Sequence, residues 1–332
     1  MKAIIPVAGV GTRLRPHTHT APKVLLHVAG KPILGHILDE MTGLGVTDIA
    51  FIVGYLGEMV EDYIGAQYPR IKARFVEQER RQGLGHAIWL ARDLICDDEP
   101  VLIILGDTIF EADLRGALSN THTIIGVKEV ADPRRFGVVE TGADGLVRSL
   151  VEKPESPKTN LAIVGIYVVR HSALLFRCLD EMIRQERRTG GEFQLTDALA
   201  MMIEAGEPIR TFKVDGWFDC GNPETLLETN RVLLERNQAR SRLVPGDYPG
   251  SIIIPPVSIS PKARIERSII GPNVSVSDGA EVSGAIVANS IISEGAVVSN
   301  IILESSIISN NARVRGHRSR LNVGDSSEIS LE

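Results

Sequence analysis

A repeat of sixteen residues constrains the fold of this chain more than any other feature of its sequence. Segments 270–285, 286–301 and 302–317 align without a gap and share several apolar columns. Columns at 270, 276 and 282 are six residues apart, the spacing of a parallel β-helix whose three short sides each point one aliphatic residue inward. The columns are Ile270, Ile286 and Ile302; Val276, Ile292 and Ile308; Ala280, Ala296 and Ala312; and Val282, Val298 and Val314, while an earlier copy with one extra residue adds Ile253, Ile259, Ala263 and Ile265.

The triplets DGA, EGA and NNA recur in the same register, at 278–280, 294–296 and 310–312. Gly and Asn are the residues that adopt a left-handed backbone conformation most readily, as a β-helix corner requires. An antiparallel sandwich would not explain a sixteen-residue register held over three copies. We therefore predict about four coils of a left-handed parallel β-helix over residues 251–318, followed by a tail at 319–332.

The preceding part of the chain has a different pattern, in which short apolar runs alternate with stretches typical of helices. Runs at 2–8, 48–54, 73–78 and 101–107 predict buried parallel strands, and 33–45 and 85–95 predict helices between them. This order is typical of an α/β fold, here a doubly wound, Rossmann-like sheet. We expect a catalytic domain at 1–237 and a linker at 238–250.

Later segments of that domain predict a more varied arrangement. Residues 108–170 alternate in the manner of antiparallel strands, with a GADG hairpin turn at 142–145. A helix is expected near 172–187, and Pro223 is placed to begin another.

Composition limits the partners that we expect. The 332 residues are 43% apolar and carry a formal net charge of −6, whereas proteins that bind nucleic acid normally show a basic balance. Cys96, Cys178 and Cys220 are far apart, which favours a reducing compartment over a disulfide framework or a metal-ligand set. No window reaches the length that spans a bilayer. We expect a cytoplasmic protein with neither nucleic acid nor membrane as a partner.

The loop GVGTRLRPHTHTAPK at 9–23 follows the first predicted strand. Its glycines could present backbone N–H groups to phosphate oxygens, and Arg13 and Lys23 would add positive charge. The loop lacks the third glycine of a dinucleotide-binding motif and the GK[ST] of a P-loop. Since ligands of such sheets bind beyond the carboxyl ends of the strands, we expect this loop and the Gly106–Asp107 turn to share one ligand. His17 and His19 are two residues apart without a third ligand, which favours solvated side chains.

At this point the sequence resembles the nucleotidyltransferases that make sugar nucleotides, including their thymidylyl and uridylyl members. The resemblance covers residues 2 to about 235 and rests on blocks that occur in one order. After GVGTRLRPHT, PK and LGD, these blocks are QGLGHA (82–87), FGVVE (136–140), VEKP (151–154), NLAIVGIYV (160–168), GEFQLTDA (191–198) and FDCGNPETLLE (218–228).

The resemblance implies that a nucleoside triphosphate and a sugar 1-phosphate react to give an NDP-sugar and pyrophosphate. In such a reaction two polyanions must share a small volume, so positioning and electrostatics do most of the work. By the same resemblance Asp107 and Asp219 hold Mg²⁺, and Arg13 and Lys23 are catalytic. The implied nucleotide-binding residues are Ala8, Gly9, Gly11, Thr12, Arg13, Gln82, Gly83 and Asp107, with Gln82 and Gly83 facing the base. The implied sugar-phosphate residues are Gly137, Glu152, Lys153 and Gly165.

The base and the sugar stay open at this point. QGLGHA and NLAIVGIYV resemble uridylyl members, whereas FGVVE, PHTHTAPK and FDCGNPETLLETN resemble thymidylyl members with a C-terminal β-helix. A pocket discriminates one methyl group by only about 1–3 kcal/mol, so both dTTP and UTP are candidates. We expect glucose 1-phosphate as the sugar.

The β-helix favours a homo-oligomer, and two alternatives accompany this reading. One is a catalytically silent regulatory or scaffold subunit, although such proteins usually lose one of the four charged residues Arg13, Lys23, Asp107 and Asp219. The other is a bifunctional enzyme whose β-helix transfers an acyl group. That activity needs a histidine, and the predicted module contains only His317.

Overall fold

The structure is a computed structural model that describes residues 1–95, 98–237 and 248–316. Cys96, His317, the predicted tail and most of the predicted linker lie outside the described residues. The α-helices are α1 (Ile33–Gly43), α2 (Gly57–Gln67), α3 (Leu84–Leu90), α4 (Leu114–Ser119), α5 (Ser172–Arg184), α6 (Leu195–Glu204) and α7 (Pro223–Asn237), and short 3₁₀ helices lie at Thr12–Leu14, His17–His19, Lys23–Leu25 and Arg92–Leu94.

The chain divides into two compact units. The first contains Met1–Leu26 and Lys31–Leu226, and the second contains His27–Gly30 and, of the described residues, 227–237 and 248–316. The domains at 1–237 and 251–318 stay a prediction.

The first thirteen strands are β1 (Lys2–Pro6), β2 (His27–Val28), β3 (Lys31–Pro32), β4 (Asp48–Val53), β5 (Lys72–Glu77), β6 (Val101–Ile104), β7 (Thr108–Glu111), β8 (Thr123–Glu129), β9 (Gly137–Thr141), β10 (Val147–Glu152), β11 (Leu161–Val169), β12 (Ile209–Lys213) and β13 (Gly216–Asp219).

The first unit is built around one mixed sheet. Its main order is β10-β9-β11-β6-β1-β4-β5, with β8 beside β11 and β12 beside β8. Strands β6, β1, β4 and β5 are parallel, and β11 joins β6 in the antiparallel sense. The four predicted parallel strands are confirmed, as is the Rossmann-like class.

Helices cover both faces of this sheet because successive residues of each strand point to opposite sides. In β1, Ile4 packs into one core with residues of α3, α5 and α6, while Ala3 and Ile5 pack into another with residues of α1, α2 and α4. All three side chains have 0% exposure. The near-continuous apolar runs of the sequence are therefore strands that are buried on both faces.

The predicted hairpin is also present. Strands β9 and β10 pair in the antiparallel sense, and the Gly145 N–H donates to the Gly142 carbonyl oxygen at 3.0 Å within the turn. Strand β11 is antiparallel to β8 and carries an irregularity between Ile163 and Tyr167. This hairpin extends the sheet beyond β11, which pairs with β6 on its other side.

The second unit contains a parallel β-helix with three sheets of four strands among the described residues, in keeping with the predicted left-handed form. The strands are β14 (Ile252–Ile253), β15 (Val257–Ile259), β16 (Arg264–Glu266), β17 (Ile269–Ile270), β18 (Val274–Val276), β19 (Glu281–Ser283), β20 (Ile286–Ala288), β21 (Ile291–Ile292), β22 (Val297–Ser299), β23 (Ile302–Glu304), β24 (Ile307–Ile308) and β25 (Arg313–Arg315). The sheets are β14-β17-β20-β23, β15-β18-β21-β24 and β16-β19-β22-β25.

One predicted column of the β-helix is wrong. The structure pairs Ile270 with Val287, so Ile286 and Ile302 lie on the outer side of their sheet, 42% and 73% exposed. The corner at 271–273 has one residue more than its counterpart in the next coil, and a shift of one residue moves a side chain to the other face. The columns that begin at Val276 and Val282 are confirmed, since 276 pairs with 292 and 282 with 298.

The corners behave as the triplets predict. Gly279, Gly295 and Asn311 have φ of +65°, +64° and +57°. Left-handed backbone at these positions turns the chain from one sheet to the next, and Gly or Asn adopts it at little cost.

Part of α7 and the turn at 27–30 belong to the same unit as the β-helix. The Oδ1 atom of Asn230, 1% exposed, accepts hydrogen bonds from Ala29 N at 2.9 Å and from Ser275 Oγ at 2.6 Å. The Nδ1 atom of His27 lies 3.1 Å from Ser277 Oγ. A helix, a turn and a β-helix strand are therefore tied by buried polar contacts.

Candidate active site

Two loops follow neighbouring parallel strands at one edge of the sheet. The loop 9–23 follows β1 and the turn Gly106–Asp107 follows β6, which pairs directly with β1. The predicted shared edge is therefore confirmed.

Gly11 shapes the first loop. Its φ is +65°, and a Cβ at this position would lie 2.9 Å from Thr18 Cγ2 and 3.0 Å from Lys23 Cβ. The Thr18 hydroxyl donates to the Gly11 carbonyl oxygen at 2.8 Å. By contrast, a Cβ at Gly9 would meet nothing within 4 Å. The loop is thus folded back on Gly11, with Thr12 and Arg13 in the following 3₁₀ helix exposed.

Lys23 connects the two loops. Its Nζ atom donates to Asp107 Oδ2 at 2.6 Å, and its side chain is only 7% exposed while that of Asp107 is 40% exposed. A buried ammonium needs such a partner, because removing a charge from water is costly. Two predicted site residues, 84 positions apart, are therefore in contact.

A two-stranded ribbon brings Asp219 to the same place. Strand β13 pairs antiparallel with β7 so that Asp219 faces Thr108, and Cys220 N donates to the Asp107 carbonyl oxygen at 3.4 Å. Gly221 follows, and a Cβ there would lie 2.9 Å from Arg13 Nη2 and 2.8 Å from Asp219 Oδ1. A side chain at position 221 would therefore collide with both the arginine and the carboxylate.

A cavity of about 220 Å³ opens at this edge. Six predicted site residues line it, namely Arg13, Asp107, Gly137, Glu152, Gly165 and Asp219. Eleven further residues also line it, of which Ile163 and Val164 lie in the segment 160–165 that the resemblance assigns to the sugar pocket: Leu84, Leu105, Thr108, Arg135, Phe136, Ile163, Val164, Tyr167, Gln194, Thr196 and Trp217. The remaining predicted residues, Ala8, Gly9, Gly11, Thr12, Lys23, Gln82, Gly83 and Lys153, lie outside this lining.

Glu152, the last residue of β10, forms part of the cavity wall. Its Oε2 atom accepts a hydrogen bond from Thr196 Oγ1 at 2.8 Å, and its Oε1 atom lies 3.3 Å from Lys153 Nζ. A Cβ at Gly137 would lie 3.1 Å from Thr196 Oγ1 and 3.2 Å from Glu152 Oε2. Burial, together with the Glu152 carboxylate, raises the pKa of Tyr167 on the same wall. This wall offers a fixed carboxylate and hydroxyl groups, which suit hydrogen bonds to polar ligand groups.

Two left-handed residues set the backbone of this wall. Lys153 has φ of +44° and donates its backbone N–H to the Phe136 carbonyl oxygen at 3.0 Å. Gly165 has φ of +85°, and a Cβ there would lie 2.5 Å from Leu105 Cδ1. Gly165 lies within the irregularity of β11, so a glycine is needed where that strand bends past the cavity.

Gln82 and Gly83 precede α3 and pack against the segment 188–193. The Oε1 atom of Gln82 accepts from Arg188 Nη2 at 2.8 Å, and Phe193 N donates to the Gln82 carbonyl oxygen at 2.7 Å. A Cβ at Gly83, with φ of +104°, would lie 2.5 Å from the Phe193 carbonyl oxygen. These contacts place the two residues beside Gln194, which lines the cavity, but not in the lining itself.

Other conspicuous residues show fewer features of a functional role. Partial burial lowers the pKa of the His17 imidazole, while His19 is exposed. Among the described residues no group of three or more His, Cys, Asp or Glu side chains could hold a metal ion. Cys220 is fully buried, and Trp217 forms a cavity wall, packing edge-on against Phe136 at a ring distance of 4.7 Å.

Sequence reasoning missed Gln194 and Thr196 although their block, GEFQLTDA, was one of the matching segments. The signal that could have found them is position: both sit at the start of α6, whose first turn meets Glu152. Arg135 and Phe136 precede Gly137 directly, and their block also matched.

Comparison with known proteins identifies the family. The nucleotidyl transferase family matches residues 2–236 of the chain. The chain belongs to this family. The match ends within one residue of the segment over which the motifs resemble sugar nucleotidyltransferases, and it includes every residue of the candidate site.

Three relatives of this nucleotidyl transferase are informative. Glucose-1-phosphate thymidylyltransferase of Streptomyces antibioticus is 33% identical over 317 residues, covering 88% of the chain and 87% of that protein. The bifunctional protein GlmU of Methanocaldococcus jannaschii is 40% identical over 237 residues, covering 71% of the chain, which spans only 55% of that protein. The crystal structure of UDP-glucose pyrophosphorylase complexed with UDP-glucose has 27% identity and a TM-score of 0.62, covering 71% of the chain and 98% of its own.

These matches extend over different parts of this nucleotidyl transferase. The thymidylyltransferase is similar along most of the chain, whereas the other two match lengths close to that of the family domain. In addition, none of the described helices is both long and apolar enough to cross a membrane.

Proposed function

We propose that this chain joins dTTP or UTP to a sugar 1-phosphate, with glucose 1-phosphate as the first candidate, to give an NDP-sugar and pyrophosphate. The observation that carries the proposal is that one cavity is lined by Arg13, Asp107 and Asp219 and also by Gly137 and Glu152. The first group offers charges that suit a triphosphate, and Glu152 offers hydrogen-bonding oxygens that suit a sugar. Both belong to one cavity, as a transfer between two bound substrates requires.

The donor set of the cavity fits Mg²⁺. Asp107 and Asp219 supply carboxylate oxygens, which are the ligands that this hard ion prefers, and they are linked by the β7–β13 ribbon. Two carboxylates suffice because Mg²⁺ usually keeps waters and takes substrate phosphate oxygens as its other ligands. When bound, the ion would neutralise charge on the triphosphate and on the departing pyrophosphate.

The residues of the chain position the phosphates. An oxygen of the sugar phosphate attacks the α-phosphorus, the bond from that phosphorus to the bridging oxygen breaks, and pyrophosphate leaves with the electron pair. The attacking phosphate is already ionised, so no side chain has to act as nucleophile or base. Arg13 donates a fork of hydrogen bonds to the transferring phosphoryl group, and Lys23 adds charge beside Asp107.

Nucleotide recognition is assigned to the loop and to the residues before α3. Ala8, Gly9, Gly11 and Thr12 are proposed to contact the triphosphate, and Gln82 and Gly83 the base. A base contact by Gln82 would use its side-chain N–H groups or the second lone pair of Oε1, which already accepts one hydrogen bond from Arg188. Relatives named for thymidylyl transfer and for UDP-glucose support a pyrimidine and glucose.

The sugar 1-phosphate is assigned to Gly137, Glu152, Lys153 and Gly165. Glu152 would accept hydrogen bonds from sugar hydroxyls, and Lys153, held 3.3 Å from it, would approach the phosphate. The two glycines keep the wall free of side chains where the sugar would lie. We also propose a homo-oligomer associated through the β-helix.

The decisive experiment is a matrix of four nucleoside triphosphates against several sugar 1-phosphates, with and without Mg²⁺, scored by pyrophosphate release. We expect the highest rate with dTTP or UTP and glucose 1-phosphate, and loss of release without Mg²⁺. Asp219→Asn should lower the rate by about 100-fold, because it removes a charge from the transferring centre. Asp215→Asn is the matched control, since Asp215 is exposed and pairs with Lys213 at 3.5 Å. Equal rates in the two variants would contradict the assignment of Asp219.

A further inference from the structure

Two adjacent arginines in the loop before β9 have different environments. Arg134 binds Asp132 through two hydrogen bonds, from Nε to Oδ1 at 2.8 Å and from Nη2 to Oδ2 at 2.7 Å. This fork is the main reason that the pKa of Asp132 falls to about 2, with a smaller contribution from the charge of Arg135. Arg135, by contrast, lines the cavity. The guanidinium of Arg134 is engaged in its own loop, whereas Arg135 is an exposed residue of the cavity lining.

The backbone around Arg135 is held from both sides. Phe136 N donates to the Pro133 carbonyl oxygen at 3.0 Å, which closes a turn, and the Phe136 carbonyl oxygen accepts from Lys153 N at 3.0 Å. The Phe136 ring packs on Trp217. Arg135 therefore extends from an anchored turn rather than from a free loop.

The charges of the cavity create a need for a second cation. Asp107, Asp219 and Glu152 line it, and a sugar 1-phosphate would bring a further dianion. Of the residues that line it, Arg13 and Arg135 carry a permanent positive charge. Arg13 belongs to the loop after β1, and Arg135 lies two residues before Gly137, on the wall of Glu152 and Thr196.

We propose that Arg135 binds the phosphate group of the sugar 1-phosphate, a step that rests on the proposed function. Its guanidinium can donate two parallel hydrogen bonds to phosphate oxygens and offset the repulsion from Glu152. It acts as a substrate-binding residue for the acceptor, distinct from Arg13 on the nucleotide side. The inference therefore concerns which substrate loses affinity when Arg135 is changed.

Steady-state kinetics of Arg135→Gln tests this assignment. We expect the KM for glucose 1-phosphate to rise by about tenfold or more, as for loss of a charge-assisted hydrogen bond, with the KM for the nucleotide changed less than about twofold. Arg135→Lys should recover part of the loss. Arg134→Gln removes the same charge from the same loop and should leave both KM values near those of the unaltered enzyme. Circular dichroism melting of each variant verifies that it is folded.

Several outcomes would overturn the proposal. They are an unchanged KM for the sugar phosphate, an equal rise in Arg134→Gln, or a rise confined to the nucleotide. Calorimetric titration with glucose 1-phosphate separates this proposal from the proposed function: binding that Arg135→Gln weakens, in a protein that releases no pyrophosphate with any substrate pair, would reject the function and keep the site. Absence of both binding and turnover with every sugar 1-phosphate would reject both.

Discussion

Lys23 and Asp107 form a 2.6 Å salt bridge between the loops that follow two adjacent parallel strands. The lysine is almost fully buried and the aspartate is partly open to the cavity, so the pair fixes the separation of the two loops. It also places one positive charge beside a carboxylate that is proposed to hold the metal.

This pair gives the first prediction. Lys23→Met should lower kcat/KM for pyrophosphate release by about 100-fold, because the preorganised positive charge that pairs with Asp107 is lost. Lys31→Met is the control, since Lys31 pairs with Asp39 at the exposed surface. Assays of both variants at saturating Mg²⁺ decide the matter, and a Lys23→Met enzyme as active as the control would refute the role.

Backbone conformation gives the second prediction. Gly11→Ala should lower the free energy of unfolding by about 1–3 kcal/mol, because the new Cβ would sit at φ +65° within 3.0 Å of Lys23 Cβ. Gly9→Ala adds the same atom where nothing lies within 4 Å, and should change stability by less than about 0.5 kcal/mol. Urea unfolding followed by circular dichroism compares them, and similar losses would argue against the folded-back loop.

The corrected register of the β-helix gives the third prediction. Val287 has 0% exposure and Ile286 has 42%, although they are neighbours in β20. Val287→Ala should cost about 2 kcal/mol of stability, because it leaves a cavity inside the coil. Ile286→Ala removes more atoms and yet should cost less than about 1 kcal/mol, since its side chain is largely in water already. If Ile286→Ala were the more destabilising change, the result would support the predicted column in which Ile286 points inward, and contradict the observed register.

His27 gives a prediction about pH. Burial lowers its pKa, while the nearby carboxylates of Glu294 and Asp278 act in the opposite direction. The unfolded chain therefore binds a proton at a higher pH than the folded chain, so this residue's contribution to stability is lost as the pH falls below the unfolded value of about 6.5.

The measurement is the free energy of unfolding of the unaltered protein and of His27→Gln between pH 8 and pH 5. At pH 8 the imidazole is neutral in both states, and the difference reflects the contact with Ser277 and the packing of the buried ring. As the pH falls, the unaltered protein should lose stability relative to the variant. A difference that stays constant across this range would contradict the buried environment of His27.

Much of the fold follows from patterns of neighbouring residues. The strands β1, β4 and β6 are nearly continuous apolar runs, as expected for strands that are buried on both faces of a sheet, whereas the edge strand β5 carries charged residues. The β-helix was visible because its coils repeat with a nearly constant period. The inward position of Ile286 was predicted wrongly because one additional residue in the corner 271–273 reverses the face, and sequence alignment alone does not place that residue.

Some site residues could likewise be predicted from sequence motifs, whereas others are shown only by the structure. The charged residues Arg13, Asp107 and Asp219 carry strong motif signals, and the structure places them around one cavity. The partner of Gln82 is Arg188, 106 positions away, and such a contact depends on tertiary packing that local sequence does not encode. Arg135 was missed for a related reason, since only the structure shows that its neighbour Arg134 is the one bound to Asp132.

The two aspartates and the part of the cavity wall around Gly137 and Thr196 belong to different elements of the fold, since Asp107 and Asp219 adjoin the ribbon of β7 and β13. The ribbon holds Asp219 beside the segment that follows Asp107, while another part of the cavity wall comes from β9, β10 and the start of α6. Substitutions along that wall can alter which acceptor fits without moving the paired aspartates. An ancestral enzyme with this layout could diversify its sugars by changes around Gly137 and Thr196 and keep one phosphate chemistry throughout, and directed evolution of the chain can follow the same route.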